Sequence, residues 1–558
     1  MTRNPLIKTL RQAYRVAQIS TKTGIPLTEV LDVVNSRLSR RRLLQGGLGI
    51  AAAVAATTFT REEHRAVAKS TVAPVLVVGA GIAGLTAAYR LRQAGVRVDV
   101  IEARNRVGGR MRSLSKAAGT NLTAELGGEF IDTDHTCLQS LAKELGFKIV
   151  DLLVPQQGLI QDTYFFDGRN VSLEEIIRDF APVARQIKKD LKAIANFESY
   201  ATPDPATERL DNLSITDYLK PIPKITETIR QLIEVAYTIE YGLEAQEQSC
   251  LNLLYLIGTK PGKFEIFGTS DERFYIDGGN DQVPRKLAQL LADSIETGTV
   301  LESIRSLSDG RYQVALRSEN RTFERKYERI LLALPFSVLR HIPLNVDLPR
   351  VKQLAIKTLG YGTNSKLITS YQNKIWRTRY NSTANVYTDL EFQNTWETSE
   401  SRYTRGAGLI TNFTGGRQGL SLGSQTPEFH AQRFLQQLER VFPGISNVQQ
   451  RQGNAVRSYW TGEQYSRGSY ACYQVGQWTK MYGAEGERAG NLFFAGEHCS
   501  LEFQGYMEGG CETGETAAIE ILEDLGLRVE AAQQRVRNQN NRVLRRRQRG
   551  SFPFQQPE

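Results

Sequence analysis

The stretch 75–88, VLVVGAGIAGLTAA, constrains the fold of this chain more than any other segment. Four apolar residues at 75–78 predict a short buried strand, and the Ala- and Leu-rich run after Gly84 predicts a helix. The glycines between them follow the pattern G-x-G-x-x-G. In this pattern Gly79 permits a tight turn, Gly81 lets backbone N–H groups approach a pyrophosphate, and Gly84 allows close packing of the helix on the strand. The segment therefore predicts a dinucleotide-binding unit.

A second strand and an acidic residue support this interpretation. The segment 96–101, VRVDVI, has the composition of a strand and leads directly into Glu102, which lies 23 residues after Gly79. A carboxylate at this spacing can accept hydrogen bonds from both hydroxyl groups of an adenosine ribose. Without that context, the glycines would indicate only a turn in some α/β protein.

Length and charge narrow the class of protein. With 558 residues, of which 41% are hydrophobic and 23% charged, the chain is predicted to be a soluble enzyme of two intertwined domains. The net charge of +10 resides in the ends, because residues 1–74 carry +8, residues 526–558 carry +6 and residues 75–525 carry −4. A mildly acidic body argues against a nucleic-acid partner. The basic tail is predicted to be disordered or a loose helix, and its charge suits an anionic membrane surface.

Cysteine and histidine usage argues against two other classes. The five cysteines have no C-x-x-C spacing, which indicates neither a disulfide framework nor a zinc site. The five histidines form no H-E-x-x-H or comparable cluster. No protein-bound catalytic metal is therefore predicted.

The N-terminal region resembles a twin-arginine export signal. Residues 39–44, SRRRLL, precede an uncharged stretch at 45–60 and an A-x-A cleavage pattern at 66–68. The 38 residues before the arginines are long for such a signal, so cleavage and retention as a membrane anchor both stay open. Residues 5–17 are compatible with a membrane-surface helix or with an ordinary solvated helix. The expected location is periplasmic, lumenal or membrane-associated in a bacterium, with the cytoplasm as the alternative.

Two later motifs join the glycine turn. Residues 102–110 read EARNRVGGR, in which the glycine pair and Arg106 or Arg110 suit a second diphosphate contact. Residues 125–131 read ELGGEFI, where backbone can approach a planar ring. With the glycine turn they resemble the flavin-containing amine oxidase superfamily, which includes monoamine, polyamine and L-amino acid oxidases. The resemblance covers roughly residues 75–525.

The C-terminal motifs narrow the branch, since the N-terminal block is shared with carotenoid desaturases and protoporphyrinogen oxidases. Residues 463–470 (EQYSRGSY), 492–497 (LFFAGE) and 505–510 (GYMEGG) resemble motifs of monoamine oxidases, and desaturases lack the last of these. The chain is thus most similar to the branch of monoamine and L-amino acid oxidases. Among these it resembles bacterial and cyanobacterial L-amino acid oxidases or dehydrogenases.

This resemblance implies an α/β fold in which a Rossmann-like FAD-binding domain is interleaved with an α+β substrate-binding domain. Helical periodicity at 173–180 and 225–233 suits a helical insertion. The expected division is export signal and linker 1–74, FAD-binding parts 75–150, 276–345 and 461–525, a helical substrate part 151–275, a second substrate part 346–460, and the tail 526–558.

FAD is the cofactor that the resemblance implies. Ser469 stands where monoamine oxidases have the cysteine that links covalently to the flavin, so the FAD is expected to be non-covalent. The expected cofactor-binding residues are Gly79, Gly81, Ala83, Gly84, Glu102, Ala103, Arg104, Gly109, Arg110, Gly127, Gly128, Glu129, Val300, Gly496, Glu497, Tyr506 and Met507.

Three residues are expected to be catalytic. In the family a strand lysine holds a water beside the flavin, a role that Lys366 inherits, with an exposed strand face as the alternative for that residue. Tyr470 and Tyr506 would be the paired rings that flank the approach to the flavin and steer an amine through their π-faces.

The expected substrate contacts are Phe130, Glu129, Tyr470 and Tyr506. Phe130 stands where animal and fungal L-amino acid oxidases place the arginine that grips the substrate carboxylate, so another cation would have to do that work. Glu129 or Asp132 would attract a cationic side chain.

The expected reaction is FAD-dependent oxidative deamination of an L-amino acid, a basic one such as L-arginine, to the 2-oxo acid and ammonia. The reduced flavin would pass its electrons to dioxygen, giving peroxide, or to a quinone. A monoamine or polyamine oxidase is the main alternative; a lipid desaturase and a non-catalytic flavoprotein are weaker ones. Oligomeric state stays open, a homodimer included.

Overall fold

The computed structural model describes residues 73–202, 204–319, 321–398, 406–450 and 454–527. The predicted export signal, the segment 5–17 and the basic tail beyond residue 527 lie outside these residues. In the part of the chain that is described, no helix combines the length and the apolar character needed to cross a membrane.

Twenty-two strands form the sheets of the described residues. They are β1 (Val75–Val78), β2 (Val98–Glu102), β3 (Ser113–Leu114), β4 (Ala124–Glu125), β5 (Ile149–Asp151), β6 (Ile160–Phe166), β7 (Arg169–Val171), β8 (Phe274–Ile276), β9 (Ile295–Thr297), β10 (Val300–Ser306), β11 (Tyr312–Ser318), β12 (Arg321–Tyr327), β13 (Arg329–Leu332), β14 (Leu344–Asn345), β15 (Gly360–Tyr361), β16 (Ser365–Tyr371), β17 (Ser382–Thr388), β18 (Asn394–Glu397), β19 (Gly408–Thr414), β20 (Val456–Tyr459), β21 (Ala471–Cys472) and β22 (Leu492–Phe494).

Fifteen α-helices accompany these strands in the described residues. They are α1 (Ile82–Gln93), α2 (Thr136–Glu144), α3 (Leu173–Ala193), α4 (Pro205–Asp211), α5 (Ile215–Leu219), α6 (Glu227–Tyr241), α7 (Cys250–Leu256), α8 (Gln282–Leu290), α9 (Phe336–Leu339), α10 (Arg350–Thr358), α11 (Ile375–Thr378), α12 (Gly416–Ser421), α13 (Pro427–Val441), α14 (Trp478–Met481) and α15 (Met507–Asp524).

The cofactor part is organised around β1. This strand is fully buried in the middle of a parallel five-stranded sheet of order β22-β13-β1-β2-β9. A strand covered on both faces is expected to be continuously apolar, as the run VLVV is. The other three strands of this sheet, β9, β13 and β22, come from much later in the chain than β1 and β2. The strand–turn–helix–strand unit predicted from the glycine motif is therefore the frame on which the rest of the domain is built.

Helix α15 lies directly on α1 with little side-chain material between them. An added Cβ at Gly514 would meet the carbonyl oxygen of Ala83 at 2.4 Å, and one at Gly510 would meet Ile82 at 2.8 Å. Two helix backbones can approach this closely only where one of them carries glycine. The glycines of the GYMEGG motif and the turn that follows thus serve packing as well as any ligand.

The substrate part contains a seven-stranded sheet of order β20-β16-β19-β18-β17-β6-β7. Its strands β6 and β7 come from the segment 151–275, where only helices were expected. Strand β6 pairs in parallel with β17, more than 200 residues later in the chain, and local periodicity carries no sign of such a distant partner. The predicted helical stretches at 173–180 and 225–233 do lie within α3 and α6.

The chain passes between the two parts through β5 and β8, which pair with each other in antiparallel fashion. The expected boundaries at 150/151 and 275/276 fall inside these two strands. The α/β fold with a Rossmann-like part interleaved with an α+β part is confirmed.

Replacing Gly514 by Ala tests the close helix contact. The added methyl group overlaps the Ala83 carbonyl, so we expect the free energy of unfolding to fall by about 1–3 kcal/mol, the usual cost of overpacking. Chemical denaturation measures this loss. Glu523→Ala, on the exposed side of the same helix, should stay within about 0.5 kcal/mol of the original protein. Equal losses in both variants would contradict the packing role.

Candidate active site

A cavity of about 580 Å³ runs from the glycine turn into the substrate part. It is lined by every site residue predicted from the sequence except Gly84 and Arg106. That glycine instead packs the turn, because an added Cβ would lie 2.0 Å from the carbonyl oxygen of Gly79. The motif thus divides as expected, with Gly84 serving helix packing and the other two glycines facing the cavity.

The turn between β1 and α1 is built to receive an anion. Gly79 has a φ of +104°, and an added Cβ would meet the Ala333 carbonyl oxygen at 2.7 Å. At Gly81 an added Cβ would meet nothing within 4 Å, so the backbone there faces open space. No side chain caps the N-terminus of α1. The free N–H groups of that first turn fit a pyrophosphate.

Glu102 closes the nucleotide end of this turn. Its two carboxylate oxygens accept hydrogen bonds from the backbone N–H groups of Ala80 and Arg104, both at 2.9 Å. A carboxylate can accept about four hydrogen bonds, which leaves capacity for ribose hydroxyls. The side chain is 5% exposed and lines the cavity. The residue therefore fixes the loop geometry and suits the ribose contact predicted for it.

The arginines of the EARNRVGGR motif differ in their partners. Arg110 donates hydrogen bonds to Glu497 at 2.8 Å and to the Ser469 carbonyl at 2.7 Å, which ties the motif to the C-terminal segments. Arg106 donates to the Gly109 carbonyl, but its buried Nη2 has no hydrogen-bond partner among the described residues. Burial lowers the pKa of Arg106. Arg106 does not line the cavity, so of these two arginines only Arg110 is placed to reach a diphosphate there.

Lys366 lies on β16 and is 6% exposed, so the exposed-face alternative is wrong. Its Nζ donates to the Gly127 carbonyl at 2.9 Å and forms an ion pair of 2.6 Å with Glu129. It also lies 5.2 Å from the centre of the Trp396 ring. Thr398 donates to the other oxygen of Glu129. Because Lys366 neutralises Glu129, the attraction for a cationic substrate expected of Glu129 is largely cancelled.

Tyr470 and Tyr506 both line the cavity, as predicted. The Tyr470 hydroxyl donates to the Ile239 carbonyl at 3.3 Å, and the Tyr506 hydroxyl donates to Glu240 at 3.0 Å. Burial raises the pKa of both phenols well above its usual value, so both rings stay neutral. Both hydroxyls therefore point to α6, and their rings are held from one helix of the substrate part.

Ser469, which directly precedes Tyr470, uses its hydroxyl group in a hydrogen bond within the protein. Ser469 is buried, and its hydroxyl donates to Asn364 Oδ1 at 2.7 Å. A serine hydroxyl held in this way offers no thiol for a link to a flavin, which fits a cofactor bound without a covalent bond.

Three carboxylates face the far part of the cavity, and the sequence had indicated only one of them. We call the part lined by Phe130, Asp132, Glu240, Glu272 and Trp396 the acidic chamber. Asp132 accepts a hydrogen bond from the backbone N–H of Glu272 at 2.8 Å, which joins two of the acids directly.

The surroundings of each carboxyl group in the acidic chamber disfavour its ionised form. Burial raises the pKa of Glu240 to about 7 and that of Asp132 to about 6. The pKa of Glu272 is also raised, by burial and by repulsion from Asp132 and Glu240. Glu272 has a large accessible surface. It lines the cavity, so this surface faces a space that the protein encloses. Among the described residues no lysine or arginine forms an ion pair with these carboxylates, and clustered carboxylates of this kind favour a positively charged ligand.

Sequence reasoning missed Glu240 and Glu272 because each looks like a surface residue. Glu240 ends an amphipathic helix, although it lies on the same face as the buried residues Ile233, Ala236 and Tyr237, a spacing that could have revealed it. Glu272 lies in a loop with a φ of +42°, and nothing in its local sequence indicates that it points inward.

A matched pair of glycine variants tests the turn. Gly81→Ala adds a methyl group into open space, so the protein should fold normally. Because the methyl group takes the position of the pyrophosphate, the affinity for FAD, the expected cofactor, should fall by about tenfold or more. Gly84→Ala adds the same methyl group against the Gly79 carbonyl and should instead destabilise the fold. Circular dichroism and titration with FAD separate the two effects; unaltered FAD affinity in Gly81→Ala would argue against this site.

The comparisons with known proteins agree with this geometry. Residues 82–522 match the family of flavin-containing amine oxidoreductases. Flavin-containing amine oxidase B of Canis lupus familiaris is 26% identical over 468 residues, which cover 81% of this chain and 86% of the relative. Flavin-containing amine oxidase A of Equus caballus is 26% identical over 465 residues, which cover 81% and 85%.

Solved structures share the fold. Cyclohexylamine oxidase from Brevibacterium oxydans superposes with a TM-score of 0.70 at 21% identity, and a putrescine oxidase bound to putrescine superposes with a TM-score of 0.67 at 22% identity. Each alignment covers 81% of this chain and 99% of the other. With the open glycine turn, the ribose carboxylate and the cavity that joins them to a buried lysine and two tyrosines, the chain belongs to the family of flavin-containing amine oxidoreductases, and its cofactor is FAD.

Proposed function

We propose that this enzyme oxidises a primary amine that carries a second cationic group, with a diamine or polyamine as the substrate. The observation that carries the proposal is the acidic chamber, in which burial raises the pKa of Asp132, Glu240 and Glu272, and the charge of Asp132 raises that of Glu240 and Glu272 as well. An ammonium group placed among them would restore their ionised state, and charge-assisted hydrogen bonds of this kind are among the stronger ones in proteins. One structural neighbour is a putrescine oxidase, which is in keeping with a diamine.

A basic L-amino acid such as L-arginine is the second candidate. The acidic chamber would suit its guanidinium group as well as an amine. Its carboxylate, however, needs a cation, and Phe130 offers none. Three of the basic residues that line the cavity are engaged in ion pairs: Arg110 with Glu497, Arg317 with Glu302, and Lys366 with Glu129. We therefore rank the diamine first.

Bound FAD supplies the two-electron oxidation of the carbon–nitrogen bond. Glu240 and Glu272 hold the distal ammonium group and so fix which end of the substrate reaches the cofactor. Phe130 and Trp396, whose rings meet edge to face at 5.5 Å, give the chamber an apolar wall that orients the methylene chain. Water then hydrolyses the imine to an aldehyde and ammonia.

Matched substrates test the proposal. Putrescine and butylamine have the same carbon chain and differ only in the second amine. We expect putrescine to bleach the flavin absorbance of the anaerobic holoenzyme at a far lower concentration than butylamine does. L-Arginine and L-lysine complete the panel; bleaching by these amino acids with none by putrescine would overturn the diamine assignment in favour of the second candidate.

Replacing the chamber carboxylates by amides should remove the advantage of the diamine. Glu240→Gln retains an acceptor for Tyr506, and Glu272→Gln keeps the side-chain volume. We expect each to raise KM for putrescine by about ten- to a hundredfold, because a hydrogen bond to a charged group is worth roughly 1.5–3 kcal/mol, with butylamine little affected. Glu234→Gln on the same helix, where the acid pairs with Arg230, is the control and should change neither KM.

The raised pKa values predict a pH dependence. A folded-state pKa of about 7 for Glu240 means that its charge is present above that pH and lost as the pH falls through it. The ratio of kcat/KM for putrescine to that for butylamine should therefore fall by about tenfold between about pH 8 and about pH 6. The amine reacting at the cofactor titrates in both substrates and cancels in the ratio. A ratio that is flat with pH in the original enzyme, or equally steep in Glu240→Gln, would speak against the assignment.

A further inference from the structure

Two free cysteines from distant parts of the chain meet beside the cofactor turn. The Sγ atoms of Cys137, in α2, and Cys511, in α15, lie 3.1 Å apart. That distance is shorter than two unbonded sulfur atoms normally keep and about 1 Å longer than a disulfide bond. Each of the other three cysteines contacts a non-sulfur partner instead: Cys250 donates to the Leu210 carbonyl, Cys472 receives the Asn252 amide, and Cys499 donates to the Glu485 carbonyl.

The approach of the two thiols is enforced by a third residue. Glu508, one residue into α15, accepts hydrogen bonds from the backbone N–H groups of Cys137 and Leu138, both at 2.7 Å. This carboxylate clamps the first turn of α2 onto the first turn of α15. Thr86 of α1 contacts Cys511 Sγ from the other side at 3.9 Å. The cysteines are therefore held together by the fold itself, and closing a bond between them requires little backbone movement.

We propose that Cys137 and Cys511 form a disulfide bond, a modification site that ties α2 to α15. The proposal is independent of the amine that the enzyme takes. In the reaction with a small-molecule disulfide as oxidant, the Cys137 thiolate attacks one sulfur of that disulfide and releases one thiol. Cys511 then attacks Cys137 Sγ of the mixed disulfide and releases the second thiol. Two protein thiols are oxidised and one external disulfide is reduced to two thiols.

Access fits this order of events. Cys137 is half-buried and so is the less enclosed of the two residues, whereas Cys511 is fully buried. The contact with Cys511, burial and the nearby Glu508 raise the pKa of Cys137, and burial and Glu508 raise that of Cys511. The reactive thiolate is therefore scarce and the reaction is slow. The bond thus acts as a lasting cross-link and not as a rapid switch.

The cross-link acts on the cofactor side of the cavity. Tyr506, Met507 and Gly510 line the cavity at the start of α15, one to five residues before Cys511. Tying this turn to α2 restricts the separation of α15 from α2 during unfolding. We expect the oxidised holoenzyme to retain FAD to a higher denaturant concentration than the reduced holoenzyme, with steady-state activity in the absence of denaturant unchanged.

The test uses the holoenzyme incubated for long periods with oxidised glutathione. Thiols counted after denaturation should fall from the five of the sequence to three, and digestion without reductant should yield one peptide pair joined through Cys137 and Cys511. Cys250→Ala, the control, should lose two of its four thiols in the same way, whereas Cys137→Ser should keep all four.

The denaturation midpoint distinguishes a cross-link from oxidation of a thiol that forms no cross-link. The difference in denaturation midpoint between oxidised and reduced protein should be present in the original enzyme and in Cys250→Ala, and absent from Cys137→Ser. Five free thiols after incubation, a glutathione adduct on Cys137 without the cross-link, or the same midpoint difference in Cys137→Ser would each overturn the proposal.

Discussion

Contact of backbone on backbone at the turn between β1 and α1 is the constraint on which the rest of this structure depends. Gly84 rests against the Gly79 carbonyl from one side, and Gly514 of α15 rests against the Ala83 carbonyl from the other. No side chain intervenes, so α1 is held rigidly with its N-terminus aimed at the cavity. Since α15 begins directly after Tyr506, the packing that orients the pyrophosphate turn also fixes one of the aromatic residues at the reaction end.

The cavity carries opposite charge in its two regions, and this division matches the two molecules it has to hold. Toward the glycine turn the ligand would meet the uncapped N–H groups at the start of α1. In the acidic chamber it would meet Glu240 and Glu272. Lys366 and Glu129 cancel each other, so neither disturbs this division. An anionic dinucleotide and a cationic amine are thus directed to different places by long-range electrostatics before any short-range contact forms.

The sequence predicted the cofactor region better than the substrate region, and the reason is physical. Local sequence determines glycine turns, the position of a ribose carboxylate and short buried strands. Their spacing can therefore be recognised in the amino-acid sequence. The pairing of β6 with β17 and the inward course of Glu240 and Glu272 depend on partners hundreds of residues away. Lys366 was identified only through resemblance, and its partner Glu129 had been given a substrate role, because an ion pair across two segments leaves no local trace.

The paired strands β5 and β8 are the two connections through which the helical part of the substrate domain joins the cofactor part. Glu272 stands just before β8, and the neighbouring Arg273 is fixed to Asp151 of β5 by an ion pair of 2.7 Å. Glu272, one of the carboxylates of the acidic chamber, therefore lies at the connection between the two parts. Substrate specificity in this architecture can therefore change without substitutions inside the cavity. Small changes at the connection formed by β5 and β8 can alter the position of the Glu272 carboxylate relative to the substrate and leave the cofactor region unchanged.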